Sequence, residues 1–428
     1  MKRRLRTALT SLWLILSVAL GLRLGFAWEQ QREIPQRILS SVPFLYEPGN
    51  IAYSVAVGKG FSSPFRVDTG PTAWASPVYP LLVAGVFRLF GTYSFHSFLV
   101  TVLLNILFSS LACVPIFFAG KQIGGLGVAT GSAWLWAVFP NAIIIPFEWI
   151  WDTCLSALLA ATILWMTLAV VDSQRRRDWC GYGLLWGISL MTNASLASLL
   201  PFLLGWMAYR VRRKEHLWLA RPALAAGVLV LCCVPWTIRN YIVFHSFVPL
   251  RSVLGLQLWL GNNDQYRNQF PGWLHPIDNQ AEREKYIHMG EFAYMQEKKH
   301  EAIQWMLAHP GKVLALSARR FLGVWTGSLT PFYDFFKTHS ILIRTLFLCN
   351  LLAGIGTLFG MVLLFRKRSE YAFPVAVFPV VFPFAFYLTQ ALLRYRHPID
   401  PIVLLLVAVT LQGLLRWAAP QDRHRPAG

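Results

Sequence analysis

The chain has 428 residues, 55% hydrophobic and only 14% charged, with a mean hydropathy of +0.47. A water-soluble domain keeps roughly a quarter of its residues charged, so this composition excludes a soluble globular protein and requires lipid to cover much of the surface. The net charge of +19 sits in short clusters between apolar runs, at Lys2 to Arg6, Arg175 to Arg177, Arg210 to Lys214, Arg366 to Arg368 and Arg416 to Arg425, which is a positive-inside pattern and not the continuous basic arm or folded basic domain of a nucleic-acid binder.

Spans of about 20 residues predict an all-α, polytopic bundle of about ten transmembrane helices. In chain order they fall at 8–27, 95–119, 124–146, 153–171, 180–194, 196–210, 221–239, 340–365, 372–392 and 399–417. The basic N-terminus reads as the start of a retained first helix, because no small-x-small cleavage site follows it. The pair 180–194 and 196–210 is short and reads as a tight helical hairpin. With the N-terminus inside, strict alternation puts every strong basic cluster, and Lys121, on the cytoplasmic side, which one missed helix would break.

The same alternation divides the chain into three parts. Residues 1–239 form an N-terminal transmembrane module whose first outer loop is 28–94. Residues 240–339 form an extracytoplasmic and interfacial segment, and 340–428 the last helices and a basic cytoplasmic tail. Within the first loop, Val78 to Phe90 is too short to span and reads as an amphipathic helix at the interface. In the second outer region, Gln280 to Ala308 is a polar helical stretch. After His309-Pro310-Gly311, Lys312 to Trp325 carries Arg319 and Arg320 among Leu, Phe and Trp, as a half-sunk surface helix does. The six cysteines lie in or beside apolar runs without a CxxC pair, as packing residues do.

Because the cytoplasmic loops are short and basic, candidate chemistry belongs on the outer side. Glu47, in Phe44-Leu-Tyr-Glu-Pro-Gly-Asn50, is placed to act as a general base near the membrane face, although a solvated, helix-initiating glutamate accounts for it equally. Asp152, in Trp149-Ile-Trp-Asp152, opens a helix and is either an N-cap or a functional acid at the lipid boundary. Glu148 is a weaker neighbour. Arg394-Tyr-Arg-His-Pro-Ile-Asp400 puts two arginines and a histidine at the outer end of a helix, where guanidiniums can hold phosphate oxygens bidentately. Headgroup snorkelling explains one arginine there more easily than the whole cluster. Transfer of a sugar from a lipid phosphate needs one base for the acceptor hydroxyl and cations for the departing phosphate. It needs no second, proton-donating carboxylate of the kind a glycosidase uses.

At these residues the chain resembles the GT-C superfamily of polyprenyl-phosphate-sugar-dependent glycosyltransferases. It looks most like the branch of the protein O-mannosyltransferases and lipid A aminoarabinose transferases (glycosyltransferase family 39). The resemblance rests on the order of parts: an acid in the first outer loop, Ile51-Ala-Tyr-Ser-Val-Ala-Val-Gly-Lys-Gly-Phe61, Gly70-Pro-Thr-Ala-Trp-Ala-Ser-Pro-Val-Tyr-Pro-Leu-Leu82, Asp152, His309-Pro310 and Arg394 to Pro401. It implies a GT-C-like bundle in the cytoplasmic membrane with its active site facing outside. It also implies an inverting hexosyl- or pentosyltransferase with a polyprenyl-phosphate sugar donor and a lipid, glycan or protein acceptor, without an obligatory metal or other cofactor. Carried over, Glu47 and Asp152 take the family's two acidic positions. Arg394, Arg396, His397 and Arg320 are the candidates for the donor phosphate, and Tyr53, Lys59, Tyr79 and Asn262 for substrate contact. For Asn262 a plain turn is the simpler account. The family usually has aspartate, often an Asp-Glu doublet, where this chain has the single Glu47, which leaves Asp68 as an alternative base. The rival readings are a transporter or lipid flippase, to which Arg23 and the proline-rich stretch 373–386 are most favourable, and a non-catalytic protein of the same fold.

Overall fold

The computed structural model describes residues 10–33, 44, 46–213, 218–266, 271–327 and 340–418. The basic N-terminus at Lys2 to Arg6, Lys214, the end of the second outer region and the tail beyond 418 lie outside the described residues.

The described chain is helical, with one isolated antiparallel bridge, Ser62 to Pro71, in the first long loop. The first half comprises α1 (Leu12–Glu33), α2 (Glu47–Ala56), α3 (Val78–Phe90), α4 (Phe95–Leu111), α5 (Cys113–Gly124), α6 (Leu126–Val138), α7 (Pro140–Glu148), α8 (Thr153–Val170), α9 (Arg176–Thr192), α10 (Leu200–Arg212) and α11 (Ala220–Phe244). The interposed segment holds α12 (Leu254–Gly261), α13 (Gln280–Met289), α14 (Glu291–Ala308) and α15 (Pro310–Thr326). The chain closes with α16 (Ile341–Arg366), α17 (Ala372–Val381), α18 (Phe384–Leu388), α19 (Leu393–Arg396) and α20 (Asp400–Ala418).

All ten expected spans fall on helices, but not all are full-length rods. Seven described helices are long and apolar enough to cross a bilayer, and α6 with α7 makes an eighth, bent by 45°. The other two fall short. Helix α9 has 17 residues and opens on Arg176-Arg177-Asp178, and the stretch Ala372–Leu388 is broken by Pro383. The protein is an integral membrane protein of all-α architecture.

Burial separates core helices from lipid-facing ones. In α8 the span is 72% buried and in Leu393–Ala418 67%, whereas Leu12–Arg32 and Ala220–Phe244 are 17% buried. The buried face of α20 runs from Asp400 to Thr410 and packs with Ala129, Ala133 and Trp136 of α6 and Ile163 and Leu164 of α8 in the largest apolar cluster. Lipid contributes no hydrophobic drive between helices, so close packing of small residues matters. A Cβ at Gly183 of α9 would lie 2.3 Å from the Ala225 carbonyl of α11.

The helix breaks leave carbonyls without intrahelical donors, and buried arginines cover them. Trp136 would bond to residue 140, but Pro140 has no N–H. Arg23, fully buried on α1, donates instead from Nη2 to the Trp136 carbonyl (3.2 Å) and from Nη1 to the Ala137 carbonyl (3.1 Å). Its Nε donates to Ser109 Oγ (2.9 Å). Arg320 of α15 does the same at the end of α18, donating to the carbonyls of Tyr387 (3.3 Å), Leu388 (3.1 Å) and Gly261. Arg396 donates to the Val324 and Trp325 carbonyls that α15 leaves open (3.1 and 3.2 Å).

Two smaller apolar clusters lie at one end of the bundle, and α2 sits between them. Ala52 packs with Phe44, Tyr79, Val83, Phe87, Phe98 and Phe147, while Ile51 packs with Phe65, Trp74, Leu256, Tyr286 and Tyr294 of the interposed segment. The interfacial helix expected at Val78 to Phe90 is α3. It faces protein with Tyr79, Val83 and Phe87, and its Arg88 donates to the Val55 carbonyl (3.1 Å) at the end of α2. Glu291 ties the long loop to the interposed segment. It accepts from the Ala73 N–H (2.7 Å), Ser252 Oγ (2.6 Å), Tyr286 Oη (2.5 Å) and Thr72 Oγ1. The polar stretch Gln280 to Ala308 is broken at Gly290, whose φ of +77° suits glycine.

Candidate active site

Glu47 occupies the first turn of α2, where helix N–H groups favour a carboxylate. Tyr46 enters in extended geometry and Pro48 sits in the first turn. The approach is tight: a Cβ at Gly49 would fall 2.1 Å from the Phe44 carbonyl oxygen, so only glycine lets the chain fold back here. Glu47 is 6% exposed. His275 Nε2 lies 3.3 Å from its Oε1. The second acid, Asp152, is half-buried at the start of α8. It caps no backbone N–H; its Oδ2 accepts from Ser156 Oγ (2.9 Å), which in turn accepts from Asn193 Nδ2 (3.2 Å). Capping therefore does not account for it.

Arg394 on α19 lies against the same turn. Its guanidinium carbon is 4.0 Å from the Trp151 ring centre and 4.6 Å from that of Trp149, a cation–π seat between two indoles. Tyr46 adds a third ring, 6.1 Å from each tryptophan. Arg251, in the stretch between α11 and α12, completes the group. The charges of Arg394 and Arg251 both act on Glu47 and on Asp152, and Arg394 also acts on His275. Burial pushes Glu47 and Asp152 above the usual carboxylate range; a backbone hydrogen bond at Glu47 and the Ser156 hydroxyl at Asp152, followed by the two guanidiniums, pull them part of the way back. Burial, then the charge of Arg394, pushes His275 down to about 3. Nε and Nη1 of Arg394 and Nε of Arg251 are buried without a hydrogen-bond partner. Buried donors in that state are rare and costly, and an anionic ligand would satisfy them.

The other sequence candidates lie elsewhere or are already engaged. Arg396 is fully buried; besides the carbonyls of α15 it donates to Asp400 Oδ1 (2.6 Å) and Asn350 Oδ1, so every guanidinium nitrogen has a protein partner. His397 is buried too, with Nδ1 3.3 Å from Asp400 Oδ2 and its ring against Trp136. Arg320 retains only Nε unpaired. Asn262 accepts from Arg320 (3.3 Å) and donates to the Leu258 and Leu388 carbonyls, both at 2.8 Å. Arg396, Arg320 and Asn262 thus give most of their polar groups to protein partners, chiefly carbonyls that helix ends leave open, while His397 keeps its buried Nε2 without a hydrogen-bond partner.

Tyr79 is buried and donates to Asn105 Oδ1 (3.1 Å), and Asn105 donates to the Trp149 carbonyl (3.3 Å). It supports the turn bearing Asp152 and presents no free face. Tyr53 is partly exposed and stacks on Tyr93 at 5.2 Å. Lys59 and Asp68 pair with each other at 3.5 Å in solvent. Asp68 also accepts from Ser63 Oγ (3.2 Å) and the Gly70 N–H (3.2 Å), which marks a turn-forming aspartate. Glu148 is exposed.

Arg251 and His275 were not anticipated. Neither carries a local signal beyond being polar in a region destined for the outer side. Among the described residues no group of three or more His, Cys, Asp or Glu converges at metal-ligand spacing.

Residues 74–238 match the sequence family described as dolichyl-phosphate-mannose-protein mannosyltransferase. No curated protein matches the chain significantly. Among solved structures the chain is similar to the archaeal oligosaccharyltransferase AglB from Archaeoglobus fulgidus in complex with an inhibitory peptide and a dolichol-phosphate. Identity is 15% and TM-score 0.56, over 95% of this chain and 50% of that one. It is also similar to an Archaeoglobus fulgidus oligosaccharyltransferase tethered to an acceptor peptide containing the NVT sequon (13% identity, TM-score 0.56, 95% and 50% covered). The chain thus spans about half the length of these enzymes, and at such identities the likeness is one of fold. ArnT from Cupriavidus metallidurans bound to undecaprenyl phosphate aligns over 93% of this chain and 77% of its own at 15% identity; its TM-score of 0.38 carries no argument.

Proposed function

For a chain with the fold of the GT-C glycosyltransferases, we propose transfer of a sugar from a polyprenyl phosphate to an acceptor hydroxyl, at the extracytoplasmic face of the cytoplasmic membrane. The observation that carries this reading is the convergence of Glu47, Asp152, Arg251 and Arg394 on one site, with guanidinium donors left unpaired. The family matched over residues 74–238 uses dolichyl-phosphate mannose by description, a donor whose phosphate suits such a guanidinium pair.

In this mechanism the acceptor oxygen attacks the anomeric carbon as the bond from that carbon to the phosphate oxygen breaks. The configuration inverts in the single displacement. Glu47 takes the hydroxyl proton, and a carboxylate raised by burial is a better base near neutral pH than an exposed one. Arg394 and Arg251 receive the polyprenyl phosphate, whose charge grows as it leaves. Asp152 balances the two guanidiniums and keeps them from repelling one another. Tyr46, Trp149 and Trp151 form an aromatic wall beside them.

The basic clusters support this sidedness. Arg210 meets Asp172 at 3.8 Å and also pairs with Glu370, so three of the connecting loops with clustered positive charge share the end opposite Glu47. The positive-inside rule assigns that end to the cytoplasm.

The transporter alternative loses its strongest feature, since the Arg23 guanidinium serves the α6–α7 break. The test is turnover of polyprenyl-phosphate mannose, and of other polyprenyl-phosphate sugars, in membranes containing wild type, E47Q, D152N or R394A. Loss of at least about a hundredfold in E47Q and R394A is expected. Full activity in well-folded E47Q and R394A refutes the assignment.

A further inference from the structure

His275 lies outside every motif considered above, yet its setting is the most constrained at the site. The ring is 2% exposed. Its edges meet Trp74 at 5.5 Å and 76° and Phe65 at 6.3 Å and 88°, so it cannot turn without displacing both. The backbone is fixed as well. Pro276 holds His275 extended, at φ −80° and ψ +136°, and its carbonyl accepts from the N–H groups of Asp278 (3.0 Å) and Asn279 (2.8 Å).

The hydrogen bonds then determine where the ring proton sits. Nδ1 accepts from the Ile277 N–H at 3.2 Å. A ring nitrogen that accepts carries no proton, so in the neutral imidazole the proton is on Nε2. Nε2 faces Glu47 Oε1. We infer that His275 is a positioning residue: a tautomer-locked, permanently neutral donor that holds Glu47 through Oε1 and leaves Oε2 to take the acceptor's proton.

This rests on the reading of Glu47 as the base. Such a donor does two things an ion pair would not. It orients the carboxylate without cancelling its charge, and it limits the rise in basicity that burial causes, because a hydrogen bond to the charged form favours that form. The charges of Arg394 and Arg251 act on the same carboxylate, and Asp278 acts on it from the segment following His275.

The test reads the ionisation of Glu47 directly. Binding of undecaprenyl phosphate to the full-length protein in detergent is measured from pH 4 to pH 9 for wild type, E47Q, H275F and H275Q. An ionised Glu47 repels the phosphate, so binding weakens through its pKa, and the E47Q curve subtracts the titration of the phosphate itself. H275F keeps a ring between Trp74 and Phe65 but removes the donor. Its midpoint should move up by about one pH unit, a tenfold change in the proton affinity of Glu47. H275Q, with an amide donor, should stay within a few tenths of a unit of wild type. An unshifted H275F midpoint overturns the positioning role while leaving the donor reading standing. If H275F does not fold, H275L, which also lacks the donor, takes its place: a midpoint raised by about one unit supports the role and an unshifted one overturns it. Wild type that binds no undecaprenyl phosphate at any pH overturns the donor reading, and this inference with it.

Discussion

Arg23→Met tests whether the buried arginine of α1 serves the helix break or a transport path. The substitution removes three hydrogen bonds between helices, to Ser109 Oγ and to the Trp136 and Ala137 carbonyls. The fourth, to the Ala19 carbonyl at 2.8 Å, is within α1. Hydrogen bonds between helices in membranes are worth about 0.6 kcal/mol each on average and up to about 1.7, so the gross loss is about 2–5 kcal/mol. Removing a buried charge returns part of its desolvation cost, and a net destabilisation of about 2 kcal/mol is expected. Reversible unfolding in mixed micelles with increasing SDS measures it, with helicity followed by circular dichroism. R23M as stable as wild type refutes the reasoning, and lost activity at unchanged stability would return Arg23 to the functional residues.

Arg396→Lys keeps the charge but cannot reach Asp400, Asn350 and two carbonyls at once. It should lower the melting temperature by several degrees while the affinity for undecaprenyl phosphate changes less than threefold, the reverse of R394A. Gly49→Ala should displace the first turn of α2 from Phe44 and cost at least about 2 kcal/mol, read as a lower melting temperature together with lost turnover. Turnover should rise with pH through a midpoint above the ordinary carboxylate value of 4.5, because burial raises Glu47 and the base works only when ionised. The limb should be missing from whatever activity E47Q retains. Asp68→Asn, in a solvent-exposed turn, should leave turnover unchanged, and a large loss there would reinstate Asp68 as a rival base.

Patterns that obey one dominant force were legible in the sequence. Apolar runs fell on helices throughout, though only seven described helices, or eight with the bent pair, are long and apolar enough to cross a bilayer. The Trp149 to Asp152 turn and Arg394 were singled out by polar groups at the ends of apolar runs. What could not be read is which guanidinium remains available. Arg394 and Arg396 are two residues apart with the same local signal, but one points to a pair of indoles and the other to the open end of α15. That choice depends on where α15 stops relative to α19, a relation between segments about 70 residues apart. The engagement of Arg320 and Asn262 was hidden for the same reason, since the break after α18 creates the demand that they meet. His275 lies against Glu47 and the charge of Arg251 acts on Glu47 and Asp152, all more than ninety residues away in sequence, and no periodicity reports such proximity.

The convergence at Glu47 has a consequence for how the chain is made. Its members are strung from residue 47 to residue 394, so during synthesis the early acids are in place long before their cationic counterparts emerge from the ribosome. Glu47 and Asp152 must wait protonated, or wetted by water, until Arg251 and finally Arg394 arrive. At roughly 5–20 residues per second, the gap between Asp152 and Arg394 lasts tens of seconds. On the proposed reading, a nascent chain interrupted before α19 would hold most of its bundle but only Arg251 of the proposed phosphate pair, so the proposed grip on a lipid phosphate is completed only near the end of synthesis.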